Sequence, residues 1–289
     1  MIAVFPLYRY SYNGYDWPIQ TVLGDGKWPA AAVDANNRAY VSWTDNSGGL
    51  WFRYQTGAQT WSSTYHLYTP GSNPVINSPP AIALVSNRGV IYPHILLTRT
   101  GQGGGRVNHS VDDFTFSINN PGGGSFEQLE YRSAAASPAL RLNPTICKDD
   151  NDSLHAAWQR TDTIAYATRY RVSSWVVAGA VMFDEGLVSA QPYAEAYGNK
   201  IYIIWQKKYP TIEDAFWGER QFNYPTFTRT NISQTSSTKS LYPTIANGFF
   251  KVYADELNAP WDIYYKINPT DVPVNISQTS TTSQYGQTA

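Results

Sequence analysis

One spacing recurs along this chain and restricts its fold more than any other feature. A proline opens a short apolar stretch, a polar turn follows, and a second apolar stretch ends in tryptophan. Pro29 precedes Trp43 by 14 residues, Pro144 precedes Trp158 by 14 and Pro192 precedes Trp205 by 13. The turns between them are Asp34-Ala35-Asn36-Asn37, Asp149-Asp150-Asn151-Asp152 and Gly198-Asn199, residues that favour tight turns through local hydrogen bonds or left-handed backbone. Two divergent copies follow the same grammar. Pro80 leads to Val90-Ile91-Tyr92-Pro93-His94, with His94 expected in the tryptophan position, and Pro243 leads through Asn247-Gly248 to Tyr253.

After each second stretch comes a third: Leu50 to Tyr54, Ile164 to Ala167, Trp261 to Tyr265. A more polar fourth segment closes the unit, most clearly Asn231-Ile232-Ser233-Gln234-Thr235 and Asn275-Ile276-Ser277-Gln278-Thr279, identical over five positions and 44 residues apart. Runs of Val, Ile, Tyr and Trp bounded by Asn, Gly, Asp and Ser are strands joined by hairpins. Four strands in about 45 to 50 residues make one blade of a β-propeller. Only Ile212 to Arg220 is expected to form a short helix, inside an inserted loop. The chain stops one strand into a further unit at Ser283 to Ala289, while residues 2 to 25 hold what resembles the remainder. The expected fold is therefore all-β: a six-bladed β-propeller of four-stranded antiparallel blades, one domain over residues 1–289. Blades start near residues 28, 78, 143, 191, 242 and 285, and the last is completed by residues 1–27. The C-terminal strand thereby closes the ring and removes exposed sheet edges.

Units reading Asn-Ile-Ser-x-Thr, Ser-x-Tyr-Pro-x-Ile-Ala, Val-x-Trp and Ile-Tyr-Tyr resemble the propeller repeats of bacterial secreted and cell-surface proteins related to the sialidase-like superfamily. That resemblance implies an extracellular or cell-surface protein that binds or displays, with glycosidases and polysaccharide lyases as a minority. Its motifs specify blades rather than chemistry. A sialidase would need three arginines around a carboxylate and several Ser-x-Asp-x-Gly-x-Thr-Trp boxes. The 13 arginines show no such spacing, and the one box candidate, Ser110-Val111-Asp112-Asp113-Phe114-Thr115-Phe116, lacks the glycine.

Composition narrows the partners. Lys and Arg total 21, Asp and Glu 22, so the net charge of −1 offers no basic excess for nucleic acid. Charged residues are 15% of the chain and aromatics 15%, a balance opposite to that of disordered segments. The longest apolar run, Trp175 to Phe183, is too short to span a bilayer. A lone cysteine, Cys147, excludes an internal disulfide and reads as a buried strand residue. Met1-Ile2-Ala3-Val4-Phe5 has no secretory character, which fits a cytoplasmic protein or a mature secreted domain.

Three groups of residues carry candidate chemistry. The second blade gathers Tyr92, His94, Arg99, Arg106 and His109, placing two of the four histidines within 16 residues. In a polysaccharide-degrading enzyme an arginine there would neutralise a uronate carboxylate while His94, His109 or Tyr92 takes the proton. The simpler reading is a core strand and a Gly-rich hairpin. Asp149, Asp150 and Asp152 suit calcium by oxygen type, but their place in the repeat makes them a turn first. Trp43, Trp158 and Trp205 are expected to wedge neighbouring sheets. Trp61, Tyr65, Trp175, Tyr209, Trp217 and Trp261 fall in expected turns or loops, where flat rings suit sugar faces. The function these features favour is a non-catalytic binding or display propeller, with carbohydrate or another surface protein as partner and no cofactor. The alternatives are a polysaccharide lyase or glycosidase, and a self-assembling surface protein.

Overall fold

The computed structural model describes residues 7–10, 19–58, 60–71, 74–103, 106–135, 143–160, 163–170, 173–178, 188–222, 226–233, 239–246, 248, 250–255, 262–268 and 270–277. The described residues form no helix and make six antiparallel sheets. The chain divides into two compact units, Met1–Arg141 and Leu142–Ala289.

In the first unit, β1 (Leu7–Tyr10) pairs with β2 (Ile19–Val22). A second sheet runs β3 (Lys27–Val33), β4 (Ala39–Thr44) and β5 (Leu50–Gly57), with β6 (Thr60–Trp61) and β7 (Tyr65–Tyr68) sharing the outer edge of β5. In the third, β8 (Val75–Ile76) and β9 (Ala81–Asn87) share one edge of β10 (Val90–Gly103), followed by β11 (Arg106–Ser117) and β12 (Asn120–Ala135). The second unit holds three four-stranded meanders. They are β13 (Thr145–Lys148), β14 (Leu154–Arg160), β15 (Thr163–Arg169), β16 (Val176–Ala178); β17 (Val188–Tyr197), β18 (Lys200–Lys208), β19 (Glu213–Gln221), β20 (Thr228–Asn231); and β21 (Ser240–Ala246), β22 (Phe250–Asp255), β23 (Asp262–Lys266), β24 (Val274–Asn275).

The Pro-to-Trp spacing has a backbone cause. The residue before the proline is left-handed in four repeats: Trp28 (φ 53°), Asn143 (φ 30°), Gln191 (φ 51°) and Tyr242 (φ 52°). The first strand bulges there, between Lys27 and Ala30, Ala190 and Tyr193, and Leu241 and Thr244. Proline has no N–H for the ladder, so the bulge costs no hydrogen bond at that residue. Opposite each bulge lies the large side chain of the second strand: Trp43, Trp205 and Tyr253, with Trp158 opposite Asn143-Pro144 by continuation of the register. Trp43, Trp158 and Trp205 are 1, 0 and 0% exposed. A left-handed non-glycine residue costs on the order of 1–3 kcal/mol. Burying an indole offsets it, since truncating such a ring loses about 3–5 kcal/mol.

His94 does not occupy this position. The β9–β10 hairpin runs three residues further, to a turn at Arg88-Gly89, and Leu96 pairs with Ala81. Leu97 therefore faces Pro79-Pro80, and His94 sits three residues earlier, as Tyr40 does before Trp43 and His155 before Trp158. Ile212 to Arg220 is not a helix but the end of a turn and strand β19, paired with β18 along its length. Phe216 packs with Ile201, Ile203 and Trp205, whereas Trp217 packs with Ile204, Ile245 and Tyr253. Both faces of this sheet are covered, so its apolar residues are consecutive rather than alternating. The box-like segment Ser110 to Phe116 lies inside β11, paired on both edges, rather than at a turn.

The Asn-Ile-Ser segments are latches. Asp214 on β19 accepts hydrogen bonds from Asn231 Nδ2 and Ser233 Oγ, each at 2.8 Å, and Ser233 Oγ accepts the Ala215 N–H. Asp262 on β23 repeats this with Asn275 Nδ2 at 2.6 Å, Ser277 Oγ at 2.8 Å and the Ile263 N–H. Both asparagines are thus engaged in holding the outer strand. In the first unit the core packs Tyr40, Leu50 and Phe52 against Ile82, Leu84, Ile95, Leu97 and Phe116.

Candidate functional site

Strand register distributes the second-blade residues over two sheet faces. β10 pairs with β11 without interruption from His94 to Gly103, so side chains alternate strictly. Tyr92 and His94 share a face with Thr100, onto whose hydroxyl His109 turns its Nδ1 at 3.1 Å. Arg99 points to the other face. His94 is buried and its Nδ1 meets Asp113 Oδ2 at 2.7 Å. Arg99 is held by Asp112 through two bonds of 3.0 and 2.9 Å and lies 4.0 Å from the Phe126 ring, with Ser110 also donating to Asp112. His94 and Thr100 are roughly 20 Å apart along the strand. Among the described side chains, Tyr92 and His94 therefore lie apart from Arg99 and His109. The Arg106 side chain lies outside the described residues. A cavity of about 230 Å³ does border both Arg99 and His109, together with Asn108, Ser110, Gln128 and Tyr131. Burial pushes the pKa of His109 down, which keeps its imidazole neutral.

The aromatic candidates are mostly packed. Trp217 lies on β19 rather than in a loop, and Trp175 is likewise buried. Trp61, on β6, packs partly buried against Leu23, Val41 and Trp43 with Arg53 above it. Tyr65 belongs to β7 and the first-unit core, and Tyr209 leans on the second-unit core with Lys207 5.2 Å from its ring. Trp261 lies outside the described residues. Asp149 to Asp152 form the expected turn: Asp149 Oδ1 accepts the N–H groups of Asn151 and Ser153, and Asp152 Oδ1 accepts from Lys148 Nζ. Asp150 is exposed.

That turn borders the larger cavity, about 360 Å³, in the second unit. Its wall is a hydrogen-bonded chain. His155 Nε2 meets Asp149 Oδ2 at 3.2 Å and His155 Nδ1 meets the Tyr166 hydroxyl at 2.6 Å. Burial works to raise the Asp149 pKa, but bonds from His155 and from the Ser153 and Asn151 amides bring it below the usual carboxylate range. Ionised Asp149 fixes the proton of His155 on Nε2, so Nδ1 accepts from Tyr166. Burial raises the Tyr166 pKa, keeping the phenol protonated as that donor. Phe222 stacks on His155 at 5.4 Å, Arg220 lies 5.2 Å from the Tyr166 ring, and Thr168 and the exposed Tyr170 complete the rim.

The first unit shows what closes such a cleft. Counted from the residue opposite the bulge, Tyr40, Phe52, Tyr54 and Phe116 match His155, Tyr166, Thr168 and Arg220. Asp34 matches Asp149 and accepts from the Tyr40 hydroxyl at 3.0 Å. There Tyr40 and Tyr54 stack at 5.8 Å and Phe52 meets Phe116 edge-on at 4.9 Å, filling the space. Threonine for tyrosine opens it in the second unit, and arginine for phenylalanine lines it with charge. Sequence reasoning flagged Asp149 but missed His155, Tyr166, Thr168, Arg220 and Phe222. Aligning the repeats strand by strand would have exposed the run of polar replacements.

No family model and no curated protein matches the chain. Solved structures do. One titled as an ulvan lyase of a new polysaccharide lyase family shares 11% identity at a TM-score of 0.58, covering 87% of this chain and 68% of that one. The NanB sialidase of Streptococcus pneumoniae, as its K499G mutant, shares 9% at a TM-score of 0.52. That match covers 85% of this chain and 59% of the sialidase. At such identities the likeness shows the fold alone: an all-β propeller. No helix among the described residues is long and apolar enough to cross a membrane.

Proposed function

We propose that this chain is an extracellular, non-catalytic carbohydrate-binding propeller whose saccharide occupies the second-unit cavity. The observation that carries the proposal is the opened cleft, where Thr168 and His155 replace the stacked Tyr54 and Tyr40 of the first unit. The result is a concavity of about 360 Å³, within the roughly 300–1,000 Å³ usual for small-ligand sites. It combines apolar ring faces from Phe222, Tyr166 and Tyr170 with hydrogen-bonding groups from Asn151, Thr168 and Arg220, the mixture a sugar's C–H and O–H surfaces require. The likeness to a polysaccharide lyase and a sialidase agrees with a carbohydrate partner. The scaffold is taken as six blades in one ring over residues 1–289, with residues 283–289 pairing beside residues 1–27.

Affinity electrophoresis in gels cast with neutral and acidic polysaccharides tests the function. Retardation by at least one polymer is expected, and it is lost in Thr168→Tyr, which restores the ring that seals the first-unit cleft. Unaltered migration in every gel would overturn the reading in favour of a protein partner or self-assembly.

The Asp149–His155–Tyr166 chain supports a second reading, a polysaccharide-degrading enzyme. There His155 would draw the phenolic proton while Asp149 holds the imidazole in the required tautomer. Cleared zones in the same gels, absent in His155→Ala, would establish it.

A further inference from the structure

The arginine of this cavity differs from others whose partners are described. Arg38 is paired with Asp34 at 2.7 Å and Arg99 with Asp112 at 2.9 Å, while Arg53 donates to the Ser62 and Leu23 carbonyls. Arg220 meets no carboxylate among the described residues. Its guanidinium lies between the rings of Tyr166 and Phe227, at 5.2 and 5.8 Å, and its Nε is buried without a hydrogen-bond partner among those residues. Asp149 borders the same cavity but is saturated, with Oδ1 taken by two backbone N–H groups and Oδ2 by His155. The wall thus carries the Asp149 carboxylate, its oxygens already engaged, and the Arg220 guanidinium, which no carboxylate among the described residues pairs and which aromatic faces brace.

An unpaired, partly desolvated cation costs free energy unless a ligand supplies the counter-charge. The matching position in the first unit, Phe116, carries no charge, so the repeat itself does not require an arginine here. We infer that Arg220 reads an anionic substituent on the saccharide: a carboxylate, as in a uronic acid, or a sulfate ester. Both present coplanar oxygen pairs that a guanidinium meets with two parallel bonds. This rests on the carbohydrate-binding reading above and adds the class of sugar.

The test is titration calorimetry of the full chain at low salt with four probes: glucuronate, galactose 6-sulfate, neutral galactose and inorganic sulfate. At least one charged sugar is expected to bind about ten-fold or more tighter than galactose, a margin that a charge-assisted bond supplies. The margin shrinks with added salt. It vanishes in Arg220→Gln and in Arg220→Phe, which borrows the first-unit residue and so retains a packed fold by circular dichroism. Arg220→Lys keeps part of it, as charge without the planar fork. Carboxylate and sulfate sources are separated by which sugar wins. Equal affinity for galactose and both charged sugars would overturn the anion assignment while leaving carbohydrate binding intact. Response to inorganic sulfate alone would overturn the sugar instead.

Discussion

Lys251 carries its ammonium into the interior of the second unit. Its side chain is 2% exposed, its ammonium sits 4.6 Å from the Trp217 ring, and it donates to the Ile267 carbonyl at 2.7 Å. Burial depresses its pKa from 10.5 to about 8, with Glu219 and Asp271 pulling the other way, and the neighbouring Lys266 is depressed for the same reason. A lysine whose folded pKa lies below its unfolded value binds fewer protons in the native state, so stability rises with pH across that interval. Urea unfolding should therefore show a gain on the order of 2 kcal/mol between pH 8 and 10.5, discounted for residual screening. Lys251→Met should be neutral or stabilising at pH 7 and should flatten much of that rise; an unchanged slope would place the group in water. In the sequence this lysine is one of eight and carries no signal, because its cost arises from a neighbouring sheet. Trp43, Trp158 and Trp205 were legible for the converse reason: a large apolar ring announces its burial whatever surrounds it.

At the scale of the strand, the two Asn-Ile-Ser latches do what backbone pairing alone does weakly. β20 pairs with β19 over four residues and β24 with β23 over two, lengths too short to persist on ladder bonds. Buried Asp214 and Asp262 supply charged acceptors that fasten each outer strand. Ser233→Ala leaves the Ala215 N–H and one Asp214 oxygen without this partner, at a cost of about 1–3 kcal/mol. Amide exchange should accelerate in β20 far more than in β18, and uniform acceleration would contradict a local latch. The repeated Asn-Ile-Ser was visible in the sequence, whereas its aspartate was not, since Asp214 stands 17 residues before Asn231 and Asp262 only 13 before Asn275. A longer β9–β10 hairpin likewise displaces His94, and a sheet covered on both faces gives Ile212 to Arg220 its helix-like run of apolar residues. Period survives in a repeat sequence, but exact offsets drift wherever a hairpin lengthens.

At the scale of the whole molecule, closure of the ring is a testable expectation. β1 and β2 form a sheet of two described strands where the other five hold four or more. A ring completed by residues 283–289 would supply a further strand, so deleting them should lower the thermal midpoint by several degrees. An unchanged midpoint would favour two units that do not close. Four-strand units and all-β class follow from period and turn chemistry, and closure is an expectation drawn from the matching fragments at the two ends. The matched clefts carry a last consequence. The bulge that seats the tryptophan and the latch that ties the edge both lie away from the cleft residues. In one copy that cleft is plugged by rings and in another it is hollow, on the same main-chain frame. The sealed copy thus serves as an inbuilt control for the chemistry of the open one.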